Sequence, residues 1–259
     1  MPPFLTMDDL DTRGRTVLVR VDLNSPIGPN GELLDDIRFR GHIPTIEALD
    51  DAKTVLLAHQ SRPGKRDFTT MERHTDKLSS LLQKDVTYVD DIYGHNVRQS
   101  IQEMEMGGII LLENVRFSSE EMLKAPVGDL AKTHLVTQLS LLCDLYLNDA
   151  FGTAHRAQTS IVAFPRVLTS GAGKLMEREV EMLTKALTTS QRPRLFMLGG
   201  AKADDSIKVI EHVLSKGSAD KVLVTGLVAN IFLAASGVDI GPPSLNQIKS
   251  SGYENYVEI

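Results

Sequence analysis

Short β-branched and leucine-rich runs that stay apolar along their length, separated by longer amphipathic stretches, constrain this 259-residue chain more than any other feature. Eight runs are read as strands, at residues 16–23, 54–59, 86–91, 108–115, 144–149, 160–164, 194–200 and 221–226. A strand with one wet face alternates polar with apolar residues. Most of these do not, so they belong in a sheet covered on both faces. Between them lie helical stretches at 43–52, 70–82, 96–104, 127–142, 174–187, 204–216 and 227–235. Such alternation gives parallel strands joined by right-handed crossovers. The expected class is α/β: two lobes of parallel sheet flanked by helices, in three layers.

Pro165, Gly171 and Gly173 punctuate a boundary. Residues 1–166 are expected to form the first lobe, 167–188 a hinge and helix between lobes, and 189–259 the second lobe. Gly171 and Gly173 are the candidate hinge glycines. From residue 174 onward the pattern supplies only two strands and three helices, too few to cover a doubly wound sheet. The second lobe is therefore expected to be incomplete, and the chain truncated.

Composition narrows the function classes. A single cysteine, Cys143, excludes an intramolecular disulfide framework and any multi-thiolate metal site. The seven histidines lack zinc-type spacing, and no protein-held metal is expected. A net charge of −6 without a block of five like charges argues against non-specific nucleic-acid binding, which needs summed phosphate neutralisation. The longest uncharged run, 222–238, carries Thr225, Asn230 and Ser236 and falls short of the ~20 apolar residues of a membrane span. No basic segment followed by an apolar stretch opens the chain. A cytoplasmic monomer or weak dimer, with neither membrane nor nucleic acid as partner, is expected.

Ligands of open parallel sheets bind beyond the carboxyl ends of the strands. There the first half places Asp22-Leu23-Asn24, His59-Gln60-Ser61-Arg62, Arg116 and Arg156, while Arg38 follows an Asn30-Gly31 turn back towards the same edge. Guanidinium groups are forks of donors suited to phosphate and carboxylate. Four packed together cost energy unless a polyanion offsets them. The bland alternative pairs each with an Asp or Glu nearby, such as Asp35, Asp36, Glu113 or Asp149. In the second half a strand runs through Gly199-Gly200-Ala201-Lys202 into a helix, an arrangement that lets backbone N–H groups and the helix dipole meet an anion. It matches neither the P-loop pattern nor a dinucleotide fingerprint.

Taken together, VRVDLNSP (19–26), Arg38, AHQSRPGK (58–65), LLENVRF (111–117), LNDAFGTAHRA (147–157) and LGGAKADDS (198–206) strongly resemble phosphoglycerate kinase, its archaeal branch most of all. The resemblance runs in order along the whole chain. It implies reversible phosphoryl transfer from 1,3-bisphosphoglycerate to Mg-ADP, giving 3-phosphoglycerate and Mg-ATP, in glycolysis or gluconeogenesis. Magnesium would be held mainly by the nucleotide. The first lobe would bind the glycerate substrate through Asp22, Leu23, Asn24, Arg38, His59, Gln60, Ser61, Arg62, Arg116 and Arg156. The second would bind nucleotide through Gly199, Gly200, Ala201 and Lys202. Arg38 and Lys202 would be the catalytic cations. Family members commonly carry a second lysine where this chain has Ser206, and the family's later nucleotide elements lie beyond residue 259. The resemblance therefore implies that a polypeptide ending there binds 3-phosphoglycerate but turns over slowly or not at all. The alternative is a non-catalytic 3-phosphoglycerate-binding fragment of a split or decayed kinase.

Overall fold

The computed structural model describes residues 4–188 and 191–256. The chain divides into two compact units, Met1–Met182 and Leu183–Ile259.

The first unit is built on β1 (Thr16–Arg20), β2 (Lys53–Leu57), β3 (Thr87–Val89), β4 (Ile109–Leu112), β5 (Leu145–Asn148) and β6 (Thr169–Ala172). They form one sheet in the order β3-β4-β2-β1-β5-β6, with every pair parallel. Alternate residues of β1, β2, β4 and β5 feed two separate cores. Val17, Val19, Leu56, Ile109, Leu111, Leu145 and Leu147 pack beneath α1 (Ile37–Glu47) and α2 (Glu72–Leu82), against Phe39, Ile46 and Leu78. Leu18, Val55, Leu57, Ile110, Leu112 and Tyr146 pack against Val97 and Ile101 of α3 (His95–Glu103) on the opposite face. Two covered faces are what the uninterrupted apolar runs require.

Besides the helix expected at 43–52, which is α1 and ends at Glu47, three expectations need correction. Residues 160–164 are not a strand; they lie in α6 (Thr159–Val162) and a 3-10 turn at Phe164–Arg166. Their apolar side chains serve a helical surface, where Phe164 stacks on Tyr146 at 5.2 Å. The edge strand is instead β6, whose sequence Thr-Ser-Gly-Ala shows no apolar run. Pairing with β5 makes it a strand, and Gly171 admits the N-terminal segment: a Cβ there would lie 3.0 Å from the Thr6 carbonyl oxygen. Secondly, 127–142 divides into α4 (Val127–Leu130) and α5 (His134–Ser140). The carboxylate of Glu120 accepts from the backbone N–H groups of His134 (3.1 Å) and Leu135 (2.7 Å), capping a fresh helix start. Thirdly, four helices follow the boundary rather than three: α7 (Lys174–Thr188), α8 (Ala203–Ser215), α9 (Gly226–Ala235) and α10 (Gly241–Ser250).

The unit boundary falls inside α7. Gly173 faces Asp149 so closely that a Cβ would stand 2.2 Å from the carboxylate. In the second unit β7 (Leu195–Leu198) and β8 (Lys221–Val224) form a two-stranded parallel sheet. Ala203, Ile210, Leu227, Val228, Ile231 and Ile248 gather in its core. The side chains of Leu195, Met197 and Leu223 are 57%, 70% and 47% exposed, so one face of this sheet is bare.

Candidate active site

The carboxyl ends of β1, β2, β4 and β5 lie side by side in the first sheet, which explains how residues far apart in sequence meet. After β1, Asp22 is buried. Its backbone N–H donates to His42 Nε2 (2.9 Å), its Oδ1 accepts from the Asn24 N–H (3.2 Å), and its Oδ2 accepts from the guanidinium of Arg38 on the first turn of α1. Gly152, after β5, leaves room for that pair: a Cβ would lie 2.8 Å from Asp22 Oδ2.

After β2, Ser61 adopts φ +56° and opens a loop closed by its own hydroxyl on Asp67 Oδ1 (2.6 Å). Asn24 Oδ1 accepts the Ser61 N–H (2.8 Å), tying this loop to the end of β1. After β4, Asn114 caps the 3-10 turn Val115–Phe117 and braces the loops, its amide donating to the carbonyls of Gln60 (2.9 Å) and Thr69 (2.8 Å). That turn sends out Arg116, which donates to the Ser61 carbonyl while its buried Nε has no partner among the described residues.

His59 sits within this ring of positive charge. Burial, and then the guanidiniums of Arg20, Arg116, Arg156 and Arg38, drive its pKa far below the ordinary histidine range. Burial and the neighbouring Arg156 and Arg20 likewise lower that of Arg116. Three of the four expected arginines therefore converge on one histidine.

The bland pairing holds for Arg38 alone, which meets the carboxylate of Asp22, and the carboxylates expected to pair with the arginines are engaged elsewhere. Asp35 accepts from the Ile37 N–H (2.6 Å), Asp36 pairs with Arg40 (2.9 Å), Glu113 accepts from Met71 N–H (3.0 Å), and Asp149 pairs with His42 (2.7 Å). Among the described residues Arg62, Arg116 and Arg156 have no carboxylate within 4.0 Å. A cluster of cations with unspent donors is a site for a polyanion.

In the second unit the turn after β7 leads into α8. Gly200 has φ +118°, a conformation that favours glycine, and a Cβ on Gly199 would lie 2.2 Å from Thr225 Oγ1. Lys202 is the exposed N-cap of α8, following Ala201. Ser206 donates to the Gly199 carbonyl (3.3 Å) and steadies the turn. The hydroxyl of Tyr253 accepts the Ala203 N–H (3.1 Å), and Tyr256 donates to Asp204 (2.6 Å). The two glycines let the backbone turn from β7 into α8, close to Thr225 and just ahead of an exposed lysine. Arg38 and Lys202 belong to different units.

The family model for phosphoglycerate kinase matches residues 7–258. The chain belongs to the phosphoglycerate kinase family. Phosphoglycerate kinase 2 of Methanosarcina acetivorans is 54% identical over 255 residues, covering 98% of this chain and 61% of the relative. The phosphoglycerate kinase of Methanothermobacter thermautotrophicus is 54% identical over 259 residues, covering 99% and 63%. Among solved structures, phosphoglycerate kinase from Pyrococcus horikoshii superposes with a TM-score of 0.93 at 43% identity, covering 98% of this chain and 63% of that one. The chain thus spans a little over three-fifths of the length of these phosphoglycerate kinases.

Against that family pattern, three expected contact residues are committed elsewhere. Leu23 is fully buried in the core under α1 and α2, which leaves only its backbone for a ligand. The amide of Gln60 is spent on Ser25 (3.0 Å to both N and O), His74 (3.0 Å) and Asp67 (3.3 Å). Ser61 uses its N–H, carbonyl and hydroxyl within the loop system. They hold the loops that present their neighbours. Residues not singled out from sequence carry the same frame: Arg20, Asn114, Glu121, Ser160, Gly152 and the His42–Asp149 pair. One signal was available, since a lone arginine inside the apolar run 16–23 must find buried partners.

Proposed function

We propose that the first unit holds the glycerate substrate of reversible phosphoryl transfer between 1,3-bisphosphoglycerate and Mg-ADP, yielding 3-phosphoglycerate and Mg-ATP, in the glycolysis or gluconeogenesis of a cytoplasm. The observation that carries this reading is the convergence of Arg38, Arg116 and Arg156 around His59, with Arg116 Nε buried and unspent. His59, Arg62, Arg116 and Arg156 clamp the phosphate that stays on the substrate. Asp22 and Asn24 meet its carboxylate and hydroxyl region, and Arg38 lies against the phosphoryl group in flight. In the second unit Gly199, Gly200 and Ala201 offer backbone to nucleotide phosphates, and Lys202 meets them as a point charge. Magnesium, carried by the nucleotide, neutralises charge on the phosphates when bound. This chain's own part is to orient the acyl phosphate, spread positive charge about it and exclude water.

Thermal unfolding tests the reading. Saturating 3-phosphoglycerate, at about 100 times its Kd, is expected to stabilise the chain by about 2.7 kcal/mol and raise Tm by about 5 °C or more. Glycerate, lacking the phosphate, is expected to raise it by less than about 1 °C. No shift with millimolar 3-phosphoglycerate would overturn the assignment.

Arg62 gives a separate prediction. It is exposed and its side chain makes no hydrogen bond or ion pair among the described residues, so truncating that side chain leaves the fold intact. In a chain extended to the length of its relatives, Arg62→Ala is expected to raise KM for 3-phosphoglycerate about 10-fold or more, with kcat little changed, since it removes a phosphate contact made equally in ground and transition states. Isothermal titration with 3-phosphoglycerate reads the same loss as Kd.

A further inference from the structure

We propose that Arg20 is a positioning residue: it fixes the ring of His59 as the tautomer protonated on Nε2, so that His59 meets a bound phosphate as an uncharged N–H donor and never as a cation. The inference rests on the reading that His59 faces the substrate phosphate.

Arg20 is fully buried at the carboxyl end of β1, in a segment otherwise built of apolar residues. Every nitrogen of its guanidinium has a partner. Nε donates to Ser160 Oγ (2.8 Å), Nη1 to the carbonyls of Val21 and Leu57, and Nη2 to His59 Nδ1 (3.1 Å). Its charge is balanced by buried Glu121, 4.0 Å away, whose carboxylate accepts from the Ser160 hydroxyl (2.7 Å) and backbone N–H (2.8 Å). Tyr146 anchors the same element from β5, donating to the Ser160 carbonyl (2.8 Å). The guanidinium is therefore held from three sides before it reaches His59.

A guanidinium has five N–H donors and no acceptor. The 3.1 Å contact requires a lone pair on His59 Nδ1, which places the single ring proton on Nε2. A second proton on Nδ1 would point at a donor. The charged groups around the ring act in the same sense: Arg20 from β1, Arg38 from α1, Arg116 beyond β4 and Arg156 beyond β5 all oppose a cationic imidazole. The carboxylates near them are engaged, Asp22 by Arg38 and Glu121 by Ser160 and Arg20. A site already rich in guanidiniums gains a directional donor without a further charge.

Imidazole 15N NMR of the intact chain tests this directly, with the His59 signal assigned by its loss in His59→Gln. The expected spectrum has a pyridine-like Nδ1 and a pyrrole-like Nε2, neither moving between pH 5 and 8, and with Nε2 displaced by 3-phosphoglycerate. Titration near pH 6.5, or a pyrrole-like Nδ1, would overturn the proposal. A fixed Nε2–H signal that 3-phosphoglycerate leaves unmoved would instead overturn the ligand reading. Removing both buried charges together, as Arg20→Met with Glu121→Gln, avoids stranding one of them. In that variant the ring is expected to show mixed tautomers; a spectrum identical to the parent would show that Arg20 does not position it. Glutamine can offer Oε1 to Arg20 and Nε2–H to the ligand, whereas asparagine's shorter amide reaches only the Nδ1 level. His59→Asn is therefore expected to bind 3-phosphoglycerate about 10-fold more weakly than His59→Gln. Equal losses in the two variants would mark His59 as a general cation and sink the idea.

Discussion

Replacing Arg38 with alanine is expected to lower kcat about 10²–10³-fold, in a chain extended to the length of its relatives, while KM for 3-phosphoglycerate changes less than about 3-fold. The magnitude follows from the chemistry proposed. Phosphoryl transfer asks little covalent help of the protein and much positioned positive charge, because negative charge spreads over the equatorial oxygens in the transition state. Arg38 is held for such a task. It stands on the first turn of α1, its side chain 46% exposed, and the buried carboxylate of Asp22 fixes its guanidinium. A cation oriented beforehand needs no reorganisation when charge develops. The clamp on the non-transferred phosphate falls to other residues, so ground-state binding survives the substitution. Steady-state kinetics in both directions, set beside Arg62→Ala, separate the two roles. Were both variants to raise KM alone, Arg38 would have no transition-state part. Arg38→Lys is expected to fall between, because lysine restores a charge without the fork.

Seven of the eight strands were legible as apolar runs; in the first unit the reason is that parallel strands covered on both faces must be apolar on both, and a run such as 108–115 has no other use. The rule fails where apolarity serves something else. Residues 160–164 are apolar because Val162, Ala163 and Phe164 pack against the second face of the sheet from a helix and turn. β6 was invisible because an edge strand of Thr, Ser, Gly and Ala owes its state to its partner β5. The site shows the same division. Arg38, Arg116 and Arg156 could be read because they follow strands, and strand ends of an open parallel sheet lie side by side. Gln60, Leu23 and Ser61, whose side chains are engaged within the fold, could not be separated from residues with unspent donors. Whether a polar side chain faces a ligand or a neighbouring loop depends on a direction that spacing does not encode. Arg20 was the reverse case, a charge hidden in an apolar run whose purpose emerges only with Glu121 and Ser160, more than a hundred residues later.

Asp149→Ala is expected to destabilise the first unit by about 3–5 kcal/mol, a large part of the 5–15 kcal/mol that holds a typical domain. Asp149 is fully buried at the end of β5 and accepts from three donors: His42 Nδ1 (2.7 Å) and the backbone N–H groups of Leu175 (2.9 Å) and Met176 (3.3 Å) at the start of α7. Alanine would strand all three, each at about 1–3 kcal/mol. Asparagine would not rescue them. His42 Nε2 already accepts the Asp22 N–H (2.9 Å), so its ring proton must sit on Nδ1, facing Asp149. An imidazole so occupied has no second lone pair. If the new amide turns its oxygen to His42, its NH2 faces the N–H groups of α7; if it turns the other way, donor meets donor at His42. Asp149→Asn is therefore expected to cost about 2 kcal/mol or more despite its near-identical shape. Urea unfolding followed by circular dichroism checks both variants, with a lower midpoint and an unchanged m-value expected. The same frame holds the Asp22 backbone, so Asp149→Asn should also weaken 3-phosphoglycerate binding although Asp149 touches no proposed ligand atom. A midpoint within error of the parent would mean that His42 takes its proton elsewhere, and that the chain from α7 through Asp149 and His42 to Asp22 does not brace the site.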